Sequence, residues 1–276
     1  MNESEKPIEP LPFVAPCRLL DLGAPLRWIK LGFSDALRAP AASLSYGFIM
    51  AALIMSVSFL AWQYGSAWLM LSLLCSFVFV APIVCVGTYA ISAQLERGLE
   101  VSFKRTLRAC LKRYLGTELV FALVLLIIFL VWARASSMVS VFIPSTGEYQ
   151  LTEMVGYLGL LALISLIFLS ITFATSVFSL PMIMHRDVDA ITAAITSINA
   201  VLRNRLVMCV WGIMIAAGIV LSLATAGLAL VIFLPAVGHA VWHGYLETID
   251  STAFPRHKTG ITATKRPVNA DRRRSH

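Results

Sequence analysis

The chain has 276 residues, of which 58% are hydrophobic and only 13% are charged, and its formal net charge is +7. Because soluble domains contain about 25% charged residues, this composition excludes an ordinary soluble enzyme and indicates one membrane domain with polar ends. The positive charge does not require nucleic acid as a partner, since anionic lipid headgroups attract each nearby basic side chain by about 1 kcal/mol.

The chain begins with a polar segment, residues 1–24, which we predict to be a disordered cytoplasmic tail. It has no short apolar core followed by a small-residue cleavage site, so we expect no cleavable signal peptide. A six-helix membrane domain is predicted over residues 25–250. A second tail, residues 251–276, is basic and poor in apolar residues, and we expect it to be disordered as well.

Six apolar runs lie between the two tails. A bilayer core about 30 Å thick is crossed by about 20 helical residues, and each run has roughly this length. The predicted all-α fold therefore has six transmembrane helices, near residues 41–63, 68–93, 117–135, 154–184, 206–223 and 224–245. The links between the first and second runs and between the fifth and sixth are very short, which favours three hairpins.

An amphipathic segment precedes each hairpin, near residues 25–38, 99–114 and 187–204. Apolar residues recur in them at helical spacing, so we expect three helices lying flat in the cytoplasmic interface. The apolar stripes are Leu26, Ile29, Phe33 and Leu37, then Leu99, Phe103, Leu107 and Leu111, then Val188, Ile191, Ile195, Ile198 and Leu202. One proline in the second helix of each hairpin, at Pro82, Pro181 and Pro235, predicts a local kink. The common pattern favours a threefold internal repeat.

Basic residues set the orientation. All 22 Lys and Arg residues except Arg134 lie before the first run, after the sixth run, or in the segments after the second and fourth runs. Because basic residues are retained in the cytoplasm, both termini should be cytoplasmic and the three hairpins should point outward. We expect Arg134 to anchor the outer interface if its helix ends near Ala135, and to lie deeper if the helix continues through residues 138–143.

Two histidines in the sixth run are candidate ligands for a metal ion or haem. His239 and His243 are four residues apart and therefore share one helix face, and His185 lies on the same side of the membrane. The simpler interpretation is a polar and aromatic belt at the interface. We therefore predict no catalytic residue, cofactor or metal, with these three histidines as weak candidates.

Hydroxyl side chains form a stripe on the fourth predicted helix, at Thr172, Thr175, Ser176 and Ser179. Small and hydroxyl side chains allow membrane helices to approach closely, and packing is the favoured interpretation. A polar lining for a solute path is the alternative.

Three separated motifs resemble a bacterial family of predicted integral membrane proteins that is known as a domain of unknown function. The resemblance implies a six-helix inner-membrane protein of Gram-negative type, with no assigned activity and no catalytic residue. Phe33 departs from the family pattern, where a second Trp is expected beside the glycine. The motif residues are Trp28, Lys30, Gly32, Asp35, Pro40, Ser43, Leu44, Tyr46 and Gly47, then Arg186 to Ala190, then Pro235, Gly238, His239, Trp242 and His243.

Three functional classes remain open. The polar segments contain no nucleophile elbow, Walker loop or dinucleotide fingerprint and are too short to fold as enzymes, so we expect a protein without enzymatic activity. An accessory or assembly component of a membrane complex is favoured, in contact with lipids whose anionic headgroups meet its cytoplasmic face. The alternatives are a transporter or channel for a small or amphipathic solute, and a haem or metal protein.

Overall fold

A computed structural model of the chain describes residues 12–65, 67–101, 106, 116–139 and 151–256. This part of the chain is helical and contains no β-strand, which confirms the predicted all-α class. Its helices are α1 (Ala24–Arg38), α2 (Pro40–Tyr64), α3 (Ala67–Val84), α4 (Val86–Glu96), α5 (Thr117–Val139), α6 (Leu151–Ser176), α7 (Ser179–His185), α8 (Ala190–Arg203), α9 (Arg205–Ala224) and α10 (Leu230–Thr248). Most of the predicted interfacial helix near residues 99–114 lies outside the described residues.

Five stretches of the described chain are long and apolar enough to cross a bilayer, where six were predicted. They are Pro40–Tyr64, Phe79–Glu96, Leu119–Val139, Val155–His185 and Arg205–Ala224. The last predicted span, 224–245, is not among them. Its helix, α10, begins only at Leu230, because Ala226 and Gly227 have positive φ angles of 48° and 84° and turn the chain after α9.

The three prolines have different effects on their helices. The α6–α7 break at Val177 and Phe178 lies just before Pro181, as expected when a proline ring clashes with the carbonyl four residues earlier. The α3–α4 break is at Cys85, three residues after Pro82. Helix α10 continues through Pro235 without a break.

The amphipathic helices α1 and α8 turn their large apolar side chains away from the rest of the protein. On α1 the exposed residues include Leu26, Phe33 and Leu37, the last with 77% of its surface accessible. The buried face consists of other residues: Ala24, Pro25, Trp28, Gly32 and Asp35. Helix α8 follows the same pattern, since its buried residues are Ala190, Thr192, Ala193, Thr196, Ser197 and Ala200. Beside a bilayer, burying large apolar side chains in protein gains little, whereas small residues allow helices to approach closely.

The buried core lies where α1, α4, α7, α8 and the second half of α10 meet. Large aromatic side chains fill it, among them Trp28, Phe178, Trp211, Trp242 and Tyr245. Helices farther from this core are mostly exposed. Only 11% of the apolar part of Val155–His185 is buried within the chain, compared with 61% for Phe79–Glu96.

The segment before α1 is ordered in its described part. The Arg18 amide donates to the Thr248 carbonyl at 2.8 Å, and the Asp250 amide donates to the Pro16 carbonyl at 2.9 Å. Ala15 is buried, and its amide donates to Thr196 Oγ1 at 3.1 Å. The predicted disorder of residues 1–24 was therefore wrong for residues 12–23, because these backbone groups find partners far away in the sequence. Residues 1–11 lie outside the described residues.

The segment after α10 is also ordered through Arg256. The Asp187 amide donates to the Pro255 carbonyl at 2.9 Å, and Arg186 Nη1 donates to the Phe254 carbonyl at 3.0 Å. Phe254 is buried. The predicted boundary of the disordered tail at residue 251 was therefore too early, and residues 257–276 lie outside the described residues.

Helix α8 has a side-chain N-cap that can be tested. Asp189 accepts hydrogen bonds from the amides of Ile191 and Thr192, both at 2.9 Å. Replacing Asp189 by Ala should destabilise the protein by about 1 kcal/mol, measured by unfolding in mixed micelles. Asp189→Asn, which keeps the cap, is the control, and an equal loss in both variants would contradict the prediction.

The cap also predicts a pH dependence. Burial acts to raise the pKa of the Asp189 carboxyl, but the hydrogen bonds from Thr192 and Ile191 outweigh it and bring the pKa below its usual value. The contribution of the ionised cap is therefore complete above the usual pKa of Asp and is lost as the pH falls through the folded-state pKa. Asp189→Asn should remove this dependence.

Candidate functional site

The most polar buried site lies where α1 meets α10. His243 Nε2 is 2.8 Å from Asp35 Oδ2, and Ser92 Oγ donates to the same carboxylate oxygen at 2.7 Å. Ser92 Oγ is also 2.7 Å from His239 Nδ1, and Ser43 Oγ is 3.0 Å from His239 Nε2. These five side chains, from α1, α2, α4 and α10, form a continuous hydrogen-bonded series that we call the buried polar chain.

A glycine brings α1 and α10 close enough to form this site. A Cβ atom on Gly32 would lie 2.6 Å from the Ala236 carbonyl oxygen and 2.7 Å from the Ala240 amide nitrogen, so only glycine fits without displacement of a backbone. The helices run antiparallel here, because residue numbers rise along α1 as they fall along α10. The contacts that establish this direction are Arg27 with Glu247, Trp28 with Gly244 and Gly32 with Ala240.

Asp35 is the charged centre of the buried polar chain. Burial acts to raise the pKa of its carboxyl, but the hydrogen bonds from His243 and Ser92 and the positive charge of the histidines outweigh burial and lower the pKa below its usual value. The ionised carboxylate therefore stabilises the fold above the usual pKa of Asp, and this contribution is lost as the pH falls through the lowered value.

Side-chain exposure differs along the buried polar chain. The side chain of His243 is 21% exposed, whereas that of Asp35 is only 6% exposed. Ser92, His239 and Ser43 are buried. The series therefore begins at a partly exposed imidazole and ends inside the helix bundle.

The hydrogen bonds leave the tautomer of His239 open. Both of its ring nitrogens face hydroxyl groups, which can donate or accept as they rotate. While Ser92 donates to Asp35, Nδ1 of His239 carries the proton. The tautomer with its proton on Nε2 requires the Ser92 hydroxyl to turn toward Nδ1.

The third predicted histidine has a separate position. His185 Nδ1 is 2.9 Å from the Tyr245 hydroxyl, which donates to Ser251 Oγ at 2.8 Å. The ring also contacts Trp242, with the ring centroids 5.6 Å apart. His185 is thus part of a tie between α7, α10 and the segment that follows, whereas His239 and His243 share one site. In the described part of the chain, no three His, Cys, Asp or Glu side chains are arranged as a metal site.

The hydroxyl stripe packs against α8, which confirms the favoured interpretation. Ser179 Oγ donates to the Ala193 carbonyl at 3.1 Å, and Ser197 Oγ donates to the Ala174 carbonyl at 2.8 Å. Thr175 and Ser176 instead donate to carbonyls one turn earlier in their own helix, both at 2.7 Å. Three of the four hydroxyls of the stripe therefore bond to protein carbonyls, whereas Thr172 Oγ1 is buried without a hydrogen-bond partner in the described part of the chain.

Arg134 is exposed on α5, which extends to Val139 and so beyond the predicted end near Ala135. Its carbonyl accepts a hydrogen bond from Ser137 Oγ at 2.8 Å. The guanidinium therefore lies more than one turn before the last described residue of the helix.

Sequence reasoning identified the two histidines of the site but missed Asp35 as their partner. Asp35 lies one turn after Gly32 and two turns after Trp28, so the three share one face of α1. The sequence analysis predicted the apolar stripe of this helix but gave Asp35 no partner. An acidic residue on the same face as a tryptophan and a glycine was the signal that pointed to a packed surface.

The comparisons with known proteins give one match. The model of a family described as "Predicted integral membrane protein (DUF2189)" matches residues 69–185. The match confirms the resemblance to an integral membrane family of unknown function over these residues. The three motifs that suggested the resemblance lie outside the matched range. No curated protein and no solved structure matches the chain.

Proposed function

We propose that this protein is a non-enzymatic accessory or assembly component of a bacterial inner membrane, and that it binds a helix of a partner protein within the bilayer. The observation that carries the proposal is the unequal packing of the spans. An apolar part of 18 residues in Val155–His185 is only 11% buried against the rest of the chain, so this part, unlike the buried residues 176–185, is available to lipid or to another protein.

The exposed face of α6 favours protein over lipid. A Cβ atom on Gly156 or on Gly159 would have no heavy atom within 4 Å. Glycines of this kind allow two membrane helices to approach closely, and dispersion contacts and weak hydrogen bonds between the backbones then stabilise the pair. The two positions are three residues apart and therefore lie near each other on the helix surface.

We infer that α10 is the sixth span of the bundle. Its 19 residues cover about 28 Å at about 1.5 Å per residue, close to the thickness of a bilayer core. Its histidines lower its hydropathy, but they face Asp35 and Ser92 rather than lipid. Ionisable side chains in membrane helices characteristically face the interior of the bundle.

Both termini are then cytoplasmic. The described parts of the two terminal segments pair with each other through Cys17 and Ile249, so they lie on one side of the protein. The excess of basic residues in these segments favours the cytoplasmic side. The exposed apolar residues of α1, together with Lys30 and Arg38, suit a surface with anionic headgroups.

Replacing both Gly156 and Gly159 by a larger residue tests partner binding. After gentle solubilisation, the wild-type protein should retain a partner at fixed stoichiometry, identified by mass spectrometry. Gly156→Leu combined with Gly159→Leu should reduce its recovery at least about tenfold, which corresponds to about 1.4 kcal/mol. Because leucine has a higher helix propensity than glycine, the variant should still fold.

Val220→Leu is the matched control, since Val220 is an exposed residue of another span, α9. It should leave recovery of the partner unchanged. Mixing two differently tagged copies of the chain tests self-association. The proposal is wrong if the wild-type protein is recovered with lipid alone or only with a second copy of itself.

A further inference from the structure

The buried polar chain connects a partly exposed group to the interior of the bundle without a gap. Its four hydrogen bonds measure 2.8 Å between His243 and Asp35, 2.7 Å between Asp35 and Ser92, 2.7 Å between Ser92 and His239, and 3.0 Å between His239 and Ser43. The Asp and the two histidines can gain or lose a proton. The hydroxyls of Ser92 and Ser43 can accept one proton while they donate another. A series of this kind exceeds what is needed to hold two helices together.

We propose that the buried polar chain is a proton-binding site that takes up a proton at His243 and passes it inward to His239. This inference does not depend on the partner-binding function proposed above. It concerns a different part of the molecule, the contact of α1 with α10, and it assigns a role to an Asp and two histidines that partner binding leaves unused.

Uptake begins at the exposed end. A hydronium ion gives its proton to Nδ1 of His243, and water is released. The other ring nitrogen, Nε2, keeps its proton and still donates to Asp35 Oδ2, so the new positive charge lies beside a carboxylate.

Transfer to the interior requires three proton movements. The Nε2 proton of His243 passes to Asp35 Oδ2. The Ser92 hydroxyl then turns its proton from Asp35 toward His239 Nδ1 and gives it to that nitrogen, while the carboxylic acid gives its own proton to Ser92 Oγ. The net result is the movement of one proton from His243 to His239, with each electron pair remaining on its own atom.

His239 must accept this proton on Nδ1. In the receiving tautomer its proton is on Nε2 and is donated to Ser43 Oγ, 3.0 Å away. After transfer, both ring nitrogens carry protons, and each faces a hydroxyl oxygen that can accept a hydrogen bond. The hydrogen-bond partners of His239 can therefore accept from the cationic ring.

Neighbouring charged and titratable groups are engaged elsewhere. Glu96 on α4 accepts a hydrogen bond from Trp242 Nε1 at 3.2 Å. On α10, Glu247 accepts from Arg27 and from Trp28 Nε1, and Tyr245 bonds with His185 of α7. On α2, the Tyr46 hydroxyl donates to the Val84 carbonyl. Asp35 and the two histidines are thus the acidic and basic groups that exert a charge effect on one another here.

Nitrogen NMR of the full-length protein in nanodiscs tests the proposal, with ¹⁵N-labelled histidine and signals assigned by single His→Gln variants. The pH is lowered from about 8 to about 4, because a buried histidine gains its proton at a lower pH than an exposed one, and both His243 and His239 should gain protons within this range. The ring nitrogens of His239 should report a cation although the residue is buried, and its titration should be coupled to that of His243.

Removing the bridging hydroxyl separates the two histidines. In Ser92→Ala, His243 should still titrate, whereas His239 should gain its proton only at a lower pH and exchange its ring protons with water more slowly, because the cationic ring loses its hydrogen-bond partner at Nδ1. Ser92→Thr keeps the hydroxyl and should restore the coupling. Ser58→Ala removes a buried hydroxyl of α2 that donates to the Ile54 carbonyl, outside the buried polar chain, and should leave both titrations unchanged.

Two outcomes would overturn the proposal. One is a His239 that remains neutral and in a single tautomer across the whole range in the wild-type protein. The other is an identical titration of His239 in the wild type and in Ser92→Ala, when thermal unfolding measurements show that both proteins are folded. Either would make the buried polar chain a static tie between α1 and α10.

Discussion

Replacing Trp28 by Ala should destabilise the protein by about 3–5 kcal/mol, the usual cost of truncating a large buried aromatic side chain. Trp28 is fully buried and packs edge-on against Trp211 and Phe178, with ring centroids 5.6 and 6.3 Å apart. Its Nε1 also donates to Glu247 Oε2 at 2.7 Å, so truncation removes a hydrogen bond to a charged group as well. The loss should appear as a lower free energy of unfolding in mixed micelles.

Trp62→Ala provides the matched control. Trp62 lies near the end of α2 and is exposed, so its truncation leaves no cavity within the protein. Its effect should stay within about 0.5 kcal/mol. Equal losses in the two variants would contradict the central position that the structure gives to Trp28.

Gly32→Ala should destabilise the protein by about 1–3 kcal/mol, because the added methyl group overpacks the contact between α1 and α10. The groups it would meet, the Ala236 carbonyl and the Ala240 amide, belong to a helix backbone and cannot rotate away as a side chain can. The two helices must separate, and the hydrogen bond between His243 and Asp35 should lengthen. Thermal unfolding, together with the histidine NMR signals, measures both effects.

Gly212→Ala tests the same substitution where there is room for it. A Cβ atom at Gly212 would meet no heavy atom within 4 Å, and the residue lies inside α9. Since alanine is favoured over glycine in a helix by about 1 kcal/mol, this variant should be neutral or slightly stabilised. A stabilised Gly32→Ala would show that α1 does not approach α10 as closely as described.

The membrane class and most span positions could be predicted from the sequence, because long apolar runs depend on local composition. The predicted spans 41–63 and 206–223 lie within α2 and α9, respectively. The end of α9 and the start of α10 were harder to place. The predicted boundary between residues 223 and 224 falls at a turn that uses a positive φ angle at Ala226, which composition alone does not indicate.

The packing faces of α1 and α8 could not be predicted by the usual rule. In water the apolar stripe of an amphipathic helix marks its buried side. Here Leu37 and Ile191 are exposed, while Asp35 and Thr196 are buried. Beside lipid both faces of such a helix can meet an apolar environment, so small size and hydrogen-bonding capacity decide which face contacts protein.

The site itself was predictable only in part. The spacing of His239 and His243 placed them on one helix face, but Asp35 is 208 residues away from His243 in sequence. No local pattern connects residues at this separation. The order of residues 12–23 was missed for the same reason, since Arg18 pairs with Thr248.

The pairing of the first helix with the last has a consequence for biosynthesis. About 190 residues separate the end of α1 from the start of α10. Because ribosomes add about 5–20 residues per second, α10 is synthesised about 10–40 s after α1. During that interval Trp28 and Asp35 have no native contact with α10. The nascent chain must therefore keep an acidic helix surface at the translocon or under a chaperone until its final helix has been made, and a message truncated before Leu230 would leave that surface permanently uncovered.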